Sequence, residues 1–266
     1  MRFFLCFSIC IAIANTLFSQ PFDGRIPRSA FSTQLVYADR VNVRNSPSLD
    51  GQVLFTLAEG TPLEMIYGMS ETTVNGESGS WKIVRYQGKT GYVWGPLLAF
   101  QAVRSMTDPE VLFVLGPNKN QEEVGVKVFR NGKRVQEFSF KGLKSLHQMS
   151  RFESKGNKGV KGIEDLLYIT YYAEACGEIG GDVMLAWDGK LLRHFFTSTS
   201  MGDGGLFEIE EIVLPADLHG EKGSIVVYKE SGEYHYDNEQ IENQTVEYFQ
   251  KEIHRYRWNG ERLIKE

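Results

Sequence analysis

Short runs along this chain place apolar residues at every second position. Val124, Val126 and Val128 point one way and Gly125 and Lys127 the other; Tyr256 and Trp258 alternate with Arg255 and Arg257. A period of two belongs to a strand, whose successive side chains leave opposite faces of a sheet. Further runs rich in β-branched and aromatic residues are bounded by Gly, Pro, Asn or Ser, as strands between turns are. In the first part of the chain they predict strands at 41–44, 53–57, 63–67, 81–86 and 91–94. In the second part they predict strands at 111–115, 124–130, 134–140, 166–172, 182–187, 191–197, 207–213, 224–229 and 252–258. The expected fold class is mainly β: a small barrel followed by a larger antiparallel domain built as a meander, a sandwich or a partial propeller.

Turn chemistry supports this order. Asn131-Gly132, Asp188-Gly189 and Asn259-Gly260 lie between strand runs, and each supplies the positive φ that a type I′ hairpin turn demands. Trp187-Asp188-Gly189-Lys190-Leu191-Leu192 is similar to Trp258-Asn259-Gly260-Glu261-Arg262-Leu263. Two hairpins of one turn type account for the similarity; degenerate copies of a repeated unit are the alternative.

Composition adds limits. Across 266 residues, 42% hydrophobic and 24% charged side chains are enough to bury a core. A formal charge of −5 excludes a chain-wide basic field, and with it nucleic acid as a partner. The charge is uneven: residues 101–161 hold 12 basic and 6 acidic side chains, and residues 162–266 hold 9 and 21. The densest basic stretch, 141–162, is rich in Gly and Ser and reads as a loop, either balancing its own domain or contacting an anionic polymer.

The N-terminus carries Arg2 and then an apolar run over 3–13, too short for a bilayer and suited to a secretory signal peptide. Cleavage after Ala14 or Ser19 fits, and Ser19 is favoured because Leu17 and Phe18 extend the apolar run. The expected division is a signal over 1–19, a linker over 20–33, a small β-domain over 34–99 and a β-rich domain over 101–266. Cleavage would remove Cys6 and Cys10 and leave Cys176 alone, hence no internal disulfide. The expected location is outside the cytoplasm, periplasmic or extracellular, with no transmembrane segment once the signal is gone.

The first β-block carries a recognisable series. It runs Val41-Asn42-Val43-Arg44-Asn45-Ser46-Pro47, Gly51 with Val53-Leu54, and Leu57-Ala58-Glu59-Gly60-Thr61-Pro62-Leu63. Trp81-Lys82-Ile83-Val84 and Gly88-Lys89-Thr90-Gly91-Tyr92-Val93 complete it. This order resembles a bacterial SH3-like domain of the extracytoplasmic type, over about a quarter of the chain. The segment 67–80 stands apart as a longer, more polar loop than the pattern needs. The resemblance implies a small barrel that serves as a targeting module, with peptidoglycan peptide or another envelope component as its partner. Tyr67, Trp81, Tyr92 and Trp94 are then the aromatic groove candidates, with Asn42 and Arg44 as polar ones. Rings bury area with few rotamers, and arginine pairs with a carboxylate. Trp81 also suits the core of so small a barrel, and Asn42 and Arg44 also suit roles in holding the fold.

Catalytic patterns are weak. Cys176 lies between Glu174 and Glu178, whose charges oppose a thiolate. His194, His219, His235 and His254 carry no ligand spacing, and Gly202-Asp203-Gly204-Gly205 has one carboxylate where a calcium loop needs several. Glu208 and Glu210 share a strand face and could form a carboxylate pair. The expectation is a non-enzymatic binding protein of the cell envelope, monomeric or weakly associating, without cofactor or metal. The alternatives are an envelope enzyme with its site in 101–266 or a protein-interaction module.

Overall fold

The computed structural model describes residues 32–118, 123–144, 148–236 and 244–266. The signal reading, most of the linker, Cys6 and Cys10 lie outside the described residues.

The first sheet has β1 (Ser32–Leu35), β2 (Arg40–Arg44), β3 (Val53–Ala58), β4 (Pro62–Val74), β5 (Glu77–Tyr86) and β6 (Lys89–Trp94), in the order β1-β4-β5-β6-β2-β3. It curls as a half-barrel around Val36, Val41, Val43, Leu57, Leu63, Val84, Val93 and Leu98. Val41, Val43, Leu57, Leu63, Val84 and Val93 are inward positions of strands expected from the sequence, whereas Val36 and Leu98 lie outside the strands and meet in an isolated bridge. A short 3₁₀ turn, η1 (Gly95–Leu97), leads out of β6. The 67–80 segment is corrected here: it is the outer half of one long hairpin, β4 and β5 continuing to a turn at Asn75-Gly76. Both turn residues have positive φ, 51° and 82°. The signal was therefore the same Asn-Gly pair recognised elsewhere in the chain.

The second sheet contains β7 (Gln101–Arg104), β8 (Val111–Pro117), β9 (Glu123–Arg130) and β10 (Lys133–Lys141). The third is an eight-stranded meander: β11 (Met149–Ser154), β12 (Asp165–Tyr171), β13 (Gly180–Trp187), β14 (Leu192–Asp203), β15 (Leu206–Val213), β16 (Ile225–Tyr236), β17 (Gln244–Trp258) and β18 (Leu263–Lys265). The molecule is mainly β, as the alternation implied. β1, β7, β11 and β18 were not among the runs expected from the sequence. β11 lies inside the basic stretch read as a loop, and its Phe152 is buried in the core.

The second sheet packs one face on β11–β14 of the third. Phe113, Leu115, Val126 and Val128 meet Leu167, Ile169, Leu185 and Trp187 in one core. The other face of the meander holds Leu166, Met184, Ala186 and Phe195 under Leu214, Ile225, Tyr256 and Trp258. Strands buried on both faces lose their polar alternation, which is why β12 and β13 read as continuous apolar runs.

Two hairpins depart from their expected turn type. Asn131-Gly132 has φ of 53° and 74° and is a two-residue turn. At 188–191 and 259–262 only the glycine is at positive φ. Asp188 Oδ1 accepts from the amides of Lys190 and Leu191, and Asn259 Oδ1 accepts from those of Glu261 and Arg262. The two similar sequences therefore form the same four-residue loop, capped by the side chain rather than twisted by it.

The half-barrel is seated on the outer face of the second sheet. Leu35, Tyr37 and Ala99 pack on Val114 and Phe129. Gly116 and Gly125 are register partners on β8 and β9, and the Tyr37 ring lies across them. A Cβ at Gly116 would stand 2.4 Å from that ring, and one at Gly125 2.1 Å from its hydroxyl. The hydroxyl is buried and has no hydrogen-bond partner among the described residues; burial pushes its pKa up. Gly125→Ala is expected to cost about 1–3 kcal/mol by overpacking. Tyr37→Phe removes an unpaired buried hydroxyl and should be near neutral. In the double variant the next contact relaxes to 3.3 Å, so most of the cost should disappear. A double-mutant cycle from chemical denaturation checks this; additive costs would contradict the packing described.

Candidate ligand-binding face of the half-barrel

Five strands of the half-barrel align one residue each in a single row. Tyr67 on β4 pairs with Ile83 on β5, Ile83 with Tyr92 on β6, Tyr92 with Arg44 on β2, and Arg44 with Val53 on β3. Residues directly opposite in a ladder share a face. This face is the convex one, because Val43, Val84 and Val93 beside them point into the core. A bulge between Met65 and Tyr67 turns Tyr67 onto this face, where it is 64% exposed. Gly91 makes the row continuous: a Cβ there would strike Val43 Cγ1 at 2.5 Å and the Arg44 carbonyl at 2.9 Å, so only glycine lets β6 reach β2.

Asn42, Trp81 and Trp94 lie on the same face. Asn42 is opposite Thr56 and accepts its hydroxyl at 2.9 Å. Trp81 and Trp94 are register partners with ring centroids 5.5 Å apart, edge to face. Both are buried, and the Trp94 indole N–H donates to Glu77 Oε2 at 3.3 Å. Gly79 sits against Trp94 and Pro96, closing this end of the face with the β4–β5 hairpin and η1. Arg44 Nη1 donates to the Gly51 carbonyl at 2.7 Å and holds the β2–β3 connection. Six sequence-derived positions thus share one face: Tyr67 and Tyr92 reach solvent, and the tryptophan pair is buried beside them. Ile83 was missed, although its alternation with Trp81 marked it.

A second feature lies at the opposite rim. Phe55, Thr56, Thr61, Tyr86, Gln87 and Lys89 line an open cleft of about 330 Å³. Phe55 and Tyr86 pack their rings 6.2 Å apart, and Gln87 holds φ of 47° in the β5–β6 turn. Sequence reading passed over this group because its members come from two separate hairpins.

The geometry agrees with a family match. The family described as the bacterial SH3 domain matches residues 39–99. Those residues are a bacterial SH3 domain. No curated protein and no solved structure matches the chain. The SH3 domain includes every strand that contributes to the row, and none of the row residues is among those seated on the second sheet.

Elsewhere several of the earlier candidates are paired with neighbours. Glu210 binds Lys229 at 2.6 Å, so Glu208 and Glu210 do not form an isolated carboxylate pair. His254 meets Glu252 at 2.8 Å and His235 meets Glu247 at 3.2 Å. In the basic stretch, Lys144 binds Glu178 and Lys158 binds Asp217, both acids of the same domain. Glu178 is held below the usual carboxylate range, chiefly by that lysine. Cys176 is a free, exposed thiol. No group of His, Cys, Asp and Glu among the described residues is arranged to hold a metal, and no described helix is long and apolar enough to cross a membrane.

Proposed function

We propose that this protein is an exported, non-enzymatic binding protein of the bacterial cell envelope. Its SH3 domain takes peptidoglycan peptide on the convex face. The observation that carries the reading is the five-strand row Tyr67–Ile83–Tyr92–Arg44–Val53. Two tyrosines offer flat, rotamer-poor area, and a guanidinium stands between them and β3 for a stem-peptide carboxylate. The signal-like N-terminus supports the location. The domain over 101–266 then acts as the body on which this face is mounted.

Co-sedimentation with purified wall sacculi tests the reading. Tyr67→Ala with Tyr92→Ala should weaken sacculus binding about tenfold, the loss expected when central aromatic contacts are truncated. The unfolding midpoint should stay close to that of the parent, because neither ring belongs to the core around Val43 and Val84. Undiminished sedimentation would remove the convex face as the site. Point variants are the right instrument: deleting residues 34–99 would strip Tyr37, Asp39 and Glu59 from the buried Lys127 and leave the Tyr37 cradle empty.

A further inference from the structure

The meander ends in an open sheet edge. β17 runs from Gln244 to Trp258, but β18 pairs with it only at Tyr256, Arg257 and Trp258, and the Glu266 amide adds one bond to the Arg255 carbonyl. From Thr245 to His254, β17 has a strand neighbour on one side only among the described residues. An unpaired row of N–H and C=O groups is a template for another strand, and proteins usually blunt it by brevity, charge or cover. This edge is long and bears Val246, Tyr248, Phe249 and Ile253, which are 37%, 48%, 60% and 48% exposed.

The two faces flanking the edge differ in chemistry. Ladder pairing puts Tyr248 opposite Gly232 and Gly232 opposite Phe207. The Phe207 ring rests over Gly232, 4.7 Å from the Tyr234 ring and 6.1 Å from the Tyr248 ring. Val246, Ile209 and Ile253 continue this largely apolar face across β15–β17; its charges are the Glu230–Lys251 ion pair, beside Ile209, with Lys251 Nζ 4.6 Å from the centre of the Tyr248 ring. The opposite face carries Glu247 and Glu252 on β17, Glu233 on β16, and Glu208 and Glu210 on β15; against these five acids stand Lys229, paired to Glu210, and His235 and His254, which meet Glu247 and Glu252. A bulge at Phe249 keeps both faces in phase along the strand.

We propose that this edge binds an extended segment of a partner protein, which adds to the meander as a further strand. The segment alternates basic with apolar or aromatic residues. Successive side chains of an added strand fall on opposite faces, so one set meets Glu247 and Glu252 and the other meets Tyr248 and Ile253. Main-chain hydrogen bonds supply affinity, and the two faces supply selectivity.

The test uses the full chain and two synthetic decapeptides, one alternating lysine with valine and tyrosine, the other with glutamate in place of lysine. The lysine peptide should bind, and it should slow amide hydrogen exchange over 245–254. The glutamate peptide should bind about tenfold more weakly or not at all, since like charges placed opposite one another repel. In the E247K/E252K variant the preference should reverse; both side chains are exposed, and a folding defect could lower binding but could not invert it. Binding without protection of 245–254, or an unchanged preference in the variant, would overturn the proposal. Protection of the same amides by self-association without peptide would assign the edge to a second copy of this chain instead.

Discussion

Asp165→Ala is expected to be the most damaging single substitution in the molecule. Asp165 opens β12 and is fully buried. Its carboxylate accepts the hydroxyls of Ser105, of Thr107 at 3.1 Å and of Ser154 at 2.6 Å. It also accepts the amides of Gly156 at 3.0 Å and Met106 at 3.3 Å. These donors come from the β7–β8 connection and from the end of β11, so one side chain ties the second sheet to the third. Hydrogen bonds to a charged group contribute about 1.5–3 kcal/mol each, and orphaned buried donors add their desolvation cost. A loss of about 4 kcal/mol or more follows, enough to threaten folding outright. Asp165→Asn keeps one acceptor but aims an amide N–H₂ at donors, so it should fall between the parent and alanine. Urea midpoints at constant m-value would check both. A cost under about 1 kcal/mol for alanine would show that the node holds little.

Lys127→Ala is the second. Lys127 lies on β9 facing the SH3 domain, 3% exposed. Its ammonium donates to the Tyr37 carbonyl at 2.8 Å, to Glu59 Oε2 at 3.0 Å and to Asp39 Oδ1 at 3.1 Å, and stands 4.8 Å from the centre of the Tyr37 ring. Arg134 binds the same two acids at 3.1 and 3.0 Å. Breaking a buried ion pair by removing one partner costs about 3–5 kcal/mol. The value here should lie at the lower end, because Asp39 is largely exposed and Arg134 still serves both acids. Lys127→Met should cost less than alanine, since it keeps the stem packing against Tyr37. Asp39 is held below the usual carboxylate range, first by the Lys127 hydrogen bond. A depressed folded-state pKa gives stability that is present above the unfolded value and lost as pH falls through the folded one. The seat of the SH3 domain should therefore loosen below about pH 4, by a small amount given the exposure of Asp39. Melting of the parent and of Lys127→Ala at pH 7 and pH 3 measures this; equal sensitivity to acid in both would contradict the pairing.

The candidate site was partly legible because a strand's period sorts side chains without a structure. Once 81–86 and 91–94 are strands, Trp81 and Ile83 share a face, as do Tyr92 and Trp94. Two things were not legible. The bulge at Ile66 decides that Tyr67 joins that face, since a shift of one residue reverses every later side chain. The burial of Trp81 and Trp94 is decided by η1 and the long β4–β5 hairpin folding over them.

The sequence by itself determined most of the strands, the facing of their alternating runs, the Asn-Gly turns and the SH3 segment, which depend largely on neighbours close in the chain. Tertiary structure alone decided the rest. The alternation says only that Lys127 and Gly125 face away from the valines of β9, and Asp165 falls just before the run expected at 166–172. They are buried because Tyr37, Asp39, Glu59 and Ser105 arrive from 60 to 90 residues away in the chain. The open edge of β17 likewise depends on where β18 stops pairing. Local pattern fixes which way a side chain points; what waits there is set by contacts that no period records.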